Sequence, residues 1–95
     1  MYRNKKLLES VREMPCQACG RQDNTVVAAH SNSLADGKGR GIKASDAAIA
    51  ALCYRCHTEY DQGRRMDKQE RREFWRDAHI KTMRWLIENE RLVIR

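Results

Sequence analysis

Short apolar runs alternate along this chain with longer charged ones, and their spacing changes from element to element. In residues 4–13, NKKLLESVRE, the apolar positions Leu7, Leu8 and Val11 recur at helical spacing. A short helix is predicted there, ended by Pro15, with its basic residues facing solvent or a phosphate backbone. The run TVVAAH, residues 25–30, is β-branched and predicts a strand ending at His30. The run AAIAALC, residues 47–53, is short enough to return as a second strand and alanine-rich enough to form a helical turn. Between them lies SNSLADGKGRGIKASD, a polar stretch punctuated by Gly37, Gly39 and Gly41 that reads as a loop. YRCHTEYD then predicts a helix that Gly63 ends.

Residues 67–90 contain neither Gly nor Pro and form the longest predicted element. Trp75, Ala78, Thr82, Met83 and Leu86 fall on one helical face, and Phe74 and Trp85 widen it. Asp67, with Glu70 three residues on, carries the signature of an N-terminal capping box. The stripe reads as core, and His79 as an ordinary polar residue on its flank. The tail RLVIR, residues 91–95, is expected as a short edge strand or as a segment lying against the helix.

The pattern therefore predicts an α+β chain folded as one domain over residues 1–95. An informative centre, residues 14–63, follows an N-terminal helix and precedes a C-terminal helix over 67–90. No internal repeat interrupts it. Composition sharpens this picture. Two Trp, three Tyr and one Phe give a thin core in 95 residues, and chains this short commonly need a staple. The four cysteines are the candidates for it.

Nineteen Lys and Arg against 13 Asp and Glu give a formal charge of +6, and the pI is about 9.5. A polyanionic partner is implied, nucleic acid first. One Zn²⁺ on four thiolates would still leave about +4. The N-terminus MYRNKKLLESVREM has no apolar run of the secretory kind, and no stretch of about 18 apolar residues exists. The expectation is a cytosolic chain that does not enter a membrane, in which paired cysteines serve metal or redox chemistry more readily than disulfides.

Cys16-x-x-Cys19 and Cys53-x-x-Cys56 account for every cysteine. Two residues between ligands allow a tight turn to aim both sulfurs at one ion, and two such turns complete a tetrahedral structural zinc site. The 33 residues between the pairs exceed the usual zinc-ribbon spacing and require an inserted hairpin or loop. Cys53-Tyr-Arg-Cys56-His57 also matches the c-type haem signature. Haem would leave Cys16 and Cys19 without a role, and its attachment follows export. A thioredoxin-like pair needs a βαβ setting, which the pattern lacks.

His57 then calls for its own explanation. A chain that leaves a zinc ion at Cys19 and returns at Cys53 can lay the strand carrying His30 beside the helix carrying His57. Two imidazoles facing one cleft suit phosphodiester hydrolysis. One takes a proton from water near neutral pH, and the other holds a divalent cation that stabilises the leaving oxygen. Lys38, Arg40 and Lys43, in the glycine-rich loop, are placed to bind flanking phosphates.

The motifs PCQACG, VVAAH and ALCYRCH resemble those of the HNH, or ββα-metal, endonucleases with a treble-clef zinc site, and among them the small YbcO-like nucleases of lambdoid phages and prophages. The resemblance covers residues 14–63. It implies a β-hairpin followed by a helix around zinc held by Cys16, Cys19, Cys53 and Cys56. It implies that His30 is the general base and that His57 helps hold a catalytic Mg²⁺ or Mn²⁺. Two positions depart from the family pattern: Ala29 stands where many members have an acidic or His ligand, and Ala48 where many have Asn. Asp46 looks like the replacement, either as a metal ligand or as a group orienting His30, and Asp61 is a weaker candidate ligand.

The expected function is thus a metal-dependent DNA endonuclease of phage or prophage origin, with His30, His57 and Asp46 as its catalytic residues. It would act in the cytoplasm of a bacterial host, as a monomer or homodimer, on DNA or RNA. The alternative is a non-catalytic zinc module that binds nucleic acid or a phage recombination protein.

Overall fold

The hydrophobic pattern resolves into three helices and a two-stranded antiparallel sheet: α1 (Lys5–Val11), β1 (Val27–His30), β2 (Ile49–Leu52), α2 (Tyr54–Gln62) and α3 (Lys68–Glu88). The computed structural model describes residues 2–32, 44–63 and 65–92. The loop residues Lys38, Arg40 and Lys43 and the end of the tail, 93–95, lie outside them.

Helix α1 is shorter than the sequence pattern predicts. Asn4 caps it, accepting from the Leu7 N–H at 3.1 Å. After Val11 the chain tightens into three-residue turns, with Glu13 N–H on the Ser10 carbonyl and Met14 N–H on the Val11 carbonyl. These turns drive Met14 into the core, where it is fully buried beside Leu7 and Val11.

The ambiguity at residues 47–53 is decided in favour of a strand. Residues 49–52 pair with 27–30, Val27 opposite Leu52 and His30 opposite Ile49. All four residues of β2 are buried, so their alanines are selected by close packing and not by helix propensity. The first strand is shorter than predicted because Thr25 is used otherwise. Its hydroxyl accepts the Tyr54 N–H at the start of α2 and donates to Asp23.

Helix α3 lies along this hairpin. Its capping box forms as predicted, with Asp67 accepting from Glu70 N–H at 2.8 Å and Glu70 accepting from Asp67 N–H at 3.2 Å. Trp75, Ala78, Thr82 and Leu86 are buried, while Phe74, Met83 and Trp85 pack partly buried against the same core. The helix ends through Glu90 in the left-handed region (φ 56°), after which Arg91 and Leu92 both donate to the Leu86 carbonyl. Leu92 packs on the core and Arg91 pairs with Glu13, so the described part of the tail folds back and forms no edge strand.

His79 departs from its expected role. Its ring stacks on Trp75 with centroids 4.9 Å apart and planes 7° from parallel, and its Nδ1 donates to the Ile49 carbonyl at 2.6 Å. Two neighbours on the same face act alike. Trp75 Nε1 donates to the Ala29 carbonyl at 2.9 Å, and Thr82 Oγ1 accepts the Ala51 N–H at 2.9 Å. Gln17 N–H takes the Ala51 carbonyl at 2.9 Å. The outer edge of β2 is thus closed by side chains of α3 and by the segment after α1.

Thr82 is fully buried and donates onward to the Ala78 carbonyl at 2.6 Å. Replacing it by Val keeps the shape and leaves the Ala51 N–H without an acceptor, at a cost of about 1–3 kcal/mol. Urea unfolding of Thr82→Val is expected to show a lower midpoint with an unchanged slope, and Thr82→Ser a smaller loss.

Candidate functional site

The two cysteine pairs are brought together by the hairpin. Cys16 and Cys19 lie on a knuckle closed by Gly20 N–H on the Cys16 carbonyl and by Cys16 N–H on the Arg21 carbonyl, both at 2.9 Å. Gly20 adopts φ 80°, a conformation that a side chain would strain. The Gln17–Ala51 bond fixes this knuckle to β2, and Cys53 follows directly where β2 ends. Cys53 is the N-cap residue of α2, and Cys56 lies in its first turn.

The four sulfurs lie within 4.8 Å of one another, with Cys19 Sγ and Cys53 Sγ 3.7 Å apart. Sulfurs bound to a tetrahedral zinc at about 2.3 Å are separated by about 3.8 Å, so the cluster has the dimensions of a zinc site. Disulfides are not formed; all four cysteines are free. Electrostatics also favour a cation. Burial pushes the Cys16 thiol up, but N–H groups of Cys53, Cys19 and Ala18 donate to its sulfur and bring it down to about 7. Burial and the neighbouring Cys53 and Cys16 push the Cys56 thiol up. One thiolate therefore opposes the next, and a divalent cation removes that opposition.

His30, at the end of β1, is held by Asp46 across the turn before β2. His30 Nε2 and Asp46 Oδ1 are 2.8 Å apart. Asp46 is 3% exposed; its Oδ2 accepts the Asn4 N–H at 2.7 Å, and Arg3 reaches its Oδ1 at 3.3 Å. Burial alone would raise the Asp46 pKa, but the hydrogen bonds from His30, Asn4 and Arg3 outweigh it and hold the carboxyl below its usual range. An ionised carboxylate can only accept, so His30 Nε2 is the nitrogen that donates to Asp46, and Nδ1 is the nitrogen left free of it.

His57, one residue past Cys56, pairs elsewhere. Its Nε2 lies 3.0 Å from Oδ2 of Asp61, one turn along α2, and both side chains are partly exposed. Asn32, two residues beyond His30, donates to Asp61 Oδ1 at 3.5 Å. Asp46 is therefore grouped with His30, and Asp61 with His57. Among the described residues the four cysteines are the one cluster of three or more metal-ligating groups. Ala29 is buried in the core, on the strand face opposite His30. The partly buried Ala48 accepts the Ser31 N–H through its carbonyl.

Sequence reasoning did not find Arg3, Asn4 or Asn32. Each acts across 29 to 43 residues, and none carries a local signal of that contact. No helix among the described residues is long and apolar enough to cross a membrane. No protein-family model, no curated protein and no solved structure matches the chain.

Purified protein is expected to carry one zinc per chain by elemental analysis. Cys16→Ser or Cys53→Ser should lose it, and a strong chelator should abolish the cooperative unfolding seen by circular dichroism.

Asp46→Asn is expected to cost roughly 1–3 kcal/mol at neutral pH, because an amide cannot accept from both His30 and Asn4 without turning its own N–H toward one of them. The Asp46 pKa is depressed in the folded state. Its stabilisation is therefore complete above the ordinary carboxylate pKa of about 4 and is lost as the pH falls through the lowered value. Unfolding midpoints of wild type and variant should differ at pH 7 and converge in acid.

Proposed function

We propose that this chain is a metal-dependent endonuclease that hydrolyses phosphodiester bonds in DNA, with a treble-clef zinc core of the HNH type. The observation that carries the reading is the His30–Asp46 pair. A buried carboxylate that fixes one ring nitrogen of a half-buried histidine leaves the other as an oriented base. The likeness of PCQACG, VVAAH and ALCYRCH to HNH motifs points the same way. The phage or prophage origin rests on that likeness alone.

In this reading His30 Nδ1 accepts a proton from the attacking water, while Asp46 keeps the ring in place and stabilises it once protonated. Asp46 then acts as an orienting group. His57 and Asp61 would hold Mg²⁺ or Mn²⁺; when bound, the cation neutralises charge on the leaving oxygen. The His57 and Asp61 side chains lie together on α2, 3.0 Å apart, where both would reach one cation. The zinc site supplies rigidity and no step of the reaction.

Ala29 favours a second reading. It faces the core where many HNH enzymes present a ligand, and a chain without that ligand could serve as a non-catalytic zinc module on nucleic acid.

A plasmid-nicking assay with Mg²⁺ or Mn²⁺ separates the two. Zinc-loaded wild type should nick, and His30→Ala of equal zinc content and fold should lose at least about a hundredfold in rate. Failure of wild type to cut duplex, single-stranded or branched DNA would leave the binding module. Equal cutting by both proteins would remove His30 from the mechanism.

A further inference from the structure

A groove of about 460 Å³ opens between α2 and α3, lined by Asn32, Tyr60, Met66, Lys68, Arg71 and Arg72. We propose that this groove is a phosphate-binding subsite that holds a nucleic-acid backbone beside the His57–Asp61 pair. The proposal rests on the nucleic-acid part of the function above, and assigns contacts to a helix whose periodicity points only to a core role.

Position is the first argument. Asn32 forms part of the groove wall, and its amide donates to Asp61, the partner of His57. Tyr60 lies on the same helix between His57 and the end of α2, and its ring packs against Phe74 of α3. A strand crossing the histidine pair would therefore continue into this groove.

Charge is the second argument. Lys68, Arg72 and Arg76 recur every four residues and form a like-charged row along the first half of α3. Neighbouring like charges at this spacing work against the helix. Among the described residues neither Lys68 nor Arg72 has a carboxylate partner. The acidic residues nearby are engaged by neutral groups: Glu70 by the Asp67 N–H of the capping box and Glu73 by Gln69. An anion would turn this repulsion into attraction.

Arg71 adds a fixed charge. It donates through NH2 to the Gly63 carbonyl, which holds its guanidinium in the groove wall. Its Nε is buried with no acceptor among the described residues. Gly63 is itself required there, because a Cβ would clash with the Glu59 carbonyl oxygen. A guanidinium that is partly desolvated and, among the described residues, bound to no carboxylate focuses positive potential into the groove. A phosphodiester, singly charged and rich in acceptors, complements one anchored arginine flanked by two exposed cations.

The test is equilibrium binding of the full zinc-loaded chain to fluorescently labelled single-stranded and duplex oligonucleotides, without Mg²⁺ or Mn²⁺, between about 50 and 200 mM salt. The double variant Lys68→Gln/Arg72→Gln alters two exposed positions and leaves Arg71 in place. Its unfolding midpoint should equal or exceed that of wild type, since like-charge repulsion is relieved. Arg84→Gln, in the second half of α3 beside Trp85, is the control.

Wild type should bind with an affinity that falls steeply with salt. The double variant should bind more weakly to every sequence, with its logarithmic salt slope reduced by about 0.7–0.9 for each lost contact, and Arg84→Gln should keep the wild-type slope. An unchanged slope in the double variant, an equal fall in Arg84→Gln, or no binding by wild type would each overturn the subsite. Nicking, measured separately, distinguishes the two readings. Slope loss in a protein that never cuts keeps the subsite and removes the endonuclease; cutting with an unchanged slope does the reverse.

Discussion

A two-stranded sheet with four paired positions cannot hold itself together in water. Half of its strand residues are alanine, so they contribute little apolar area of their own, and the outer edge of β2 presents N–H and C=O groups that β1 cannot reach. Much of the remaining structure answers this constraint. Thr82 and His79 of α3 and the backbone of Gln17 satisfy that edge, while Trp75 adds a bond to the Ala29 carbonyl. Small side chains on the strands let α3 approach closely enough for these bonds to form. The alanines and the polar residues of the helix are two sides of one arrangement.

The parts that could be read from the sequence are those whose cause is local. The capping box of α3 is set by two residues three apart, and the cysteine pairs announce themselves by spacing. The aromatic stripe has a helical period and proved to be core. What could not be read depends on chain closure. His79 and Thr82 look like ordinary members of a helix until the hairpin lies beside them, 30 and 31 residues away in sequence. Asp46 could be read as a ligand or as an orienting group, because nothing in its own neighbourhood indicates that Asn4 and Arg3 will meet it. The strand at 49–52 was undecided for the same reason: alanine is a better helix former, and only pairing with 27–30 and burial on both faces reverse the preference.

The two histidine–carboxylate pairs differ in a way that bears on their chemistry. Asp46 is buried and multiply bonded, so it holds His30 through Nε2 in one orientation. Asp61 is exposed and meets His57 within one turn of the same short helix, a pairing that solvent weakens. The first arrangement suits a group that must hold one orientation through a proton transfer. The second suits groups that must exchange one partner for another, as ligands of a weakly held cation do. Preorganisation is concentrated where proton transfer would require it.

The cysteine cluster stands in different relations to these two pairs. Val27 is opposite Leu52, next to Cys53, whereas His30 is opposite Ile49, three residues further along the strand. At about 3.3 Å per residue this places His30 roughly 10 Å from the cysteine end of the sheet, too far for a zinc ion there to act on water at His30. His30 depends instead on Asp46, and through it on the N-terminus of α1. His57 is the residue after Cys56, and its N–H is bonded to the Cys53 carbonyl at 2.8 Å, so its position follows directly from the cysteine cluster. A zinc ion held by the four cysteines would therefore have unequal reach. It would fix the start of α2 and with it the His57–Asp61 pair, while the His30–Asp46 pair is secured from the opposite end of the hairpin. A functional centre that uses both would need both ends of the sheet intact, and the hairpin is tied down at each of them.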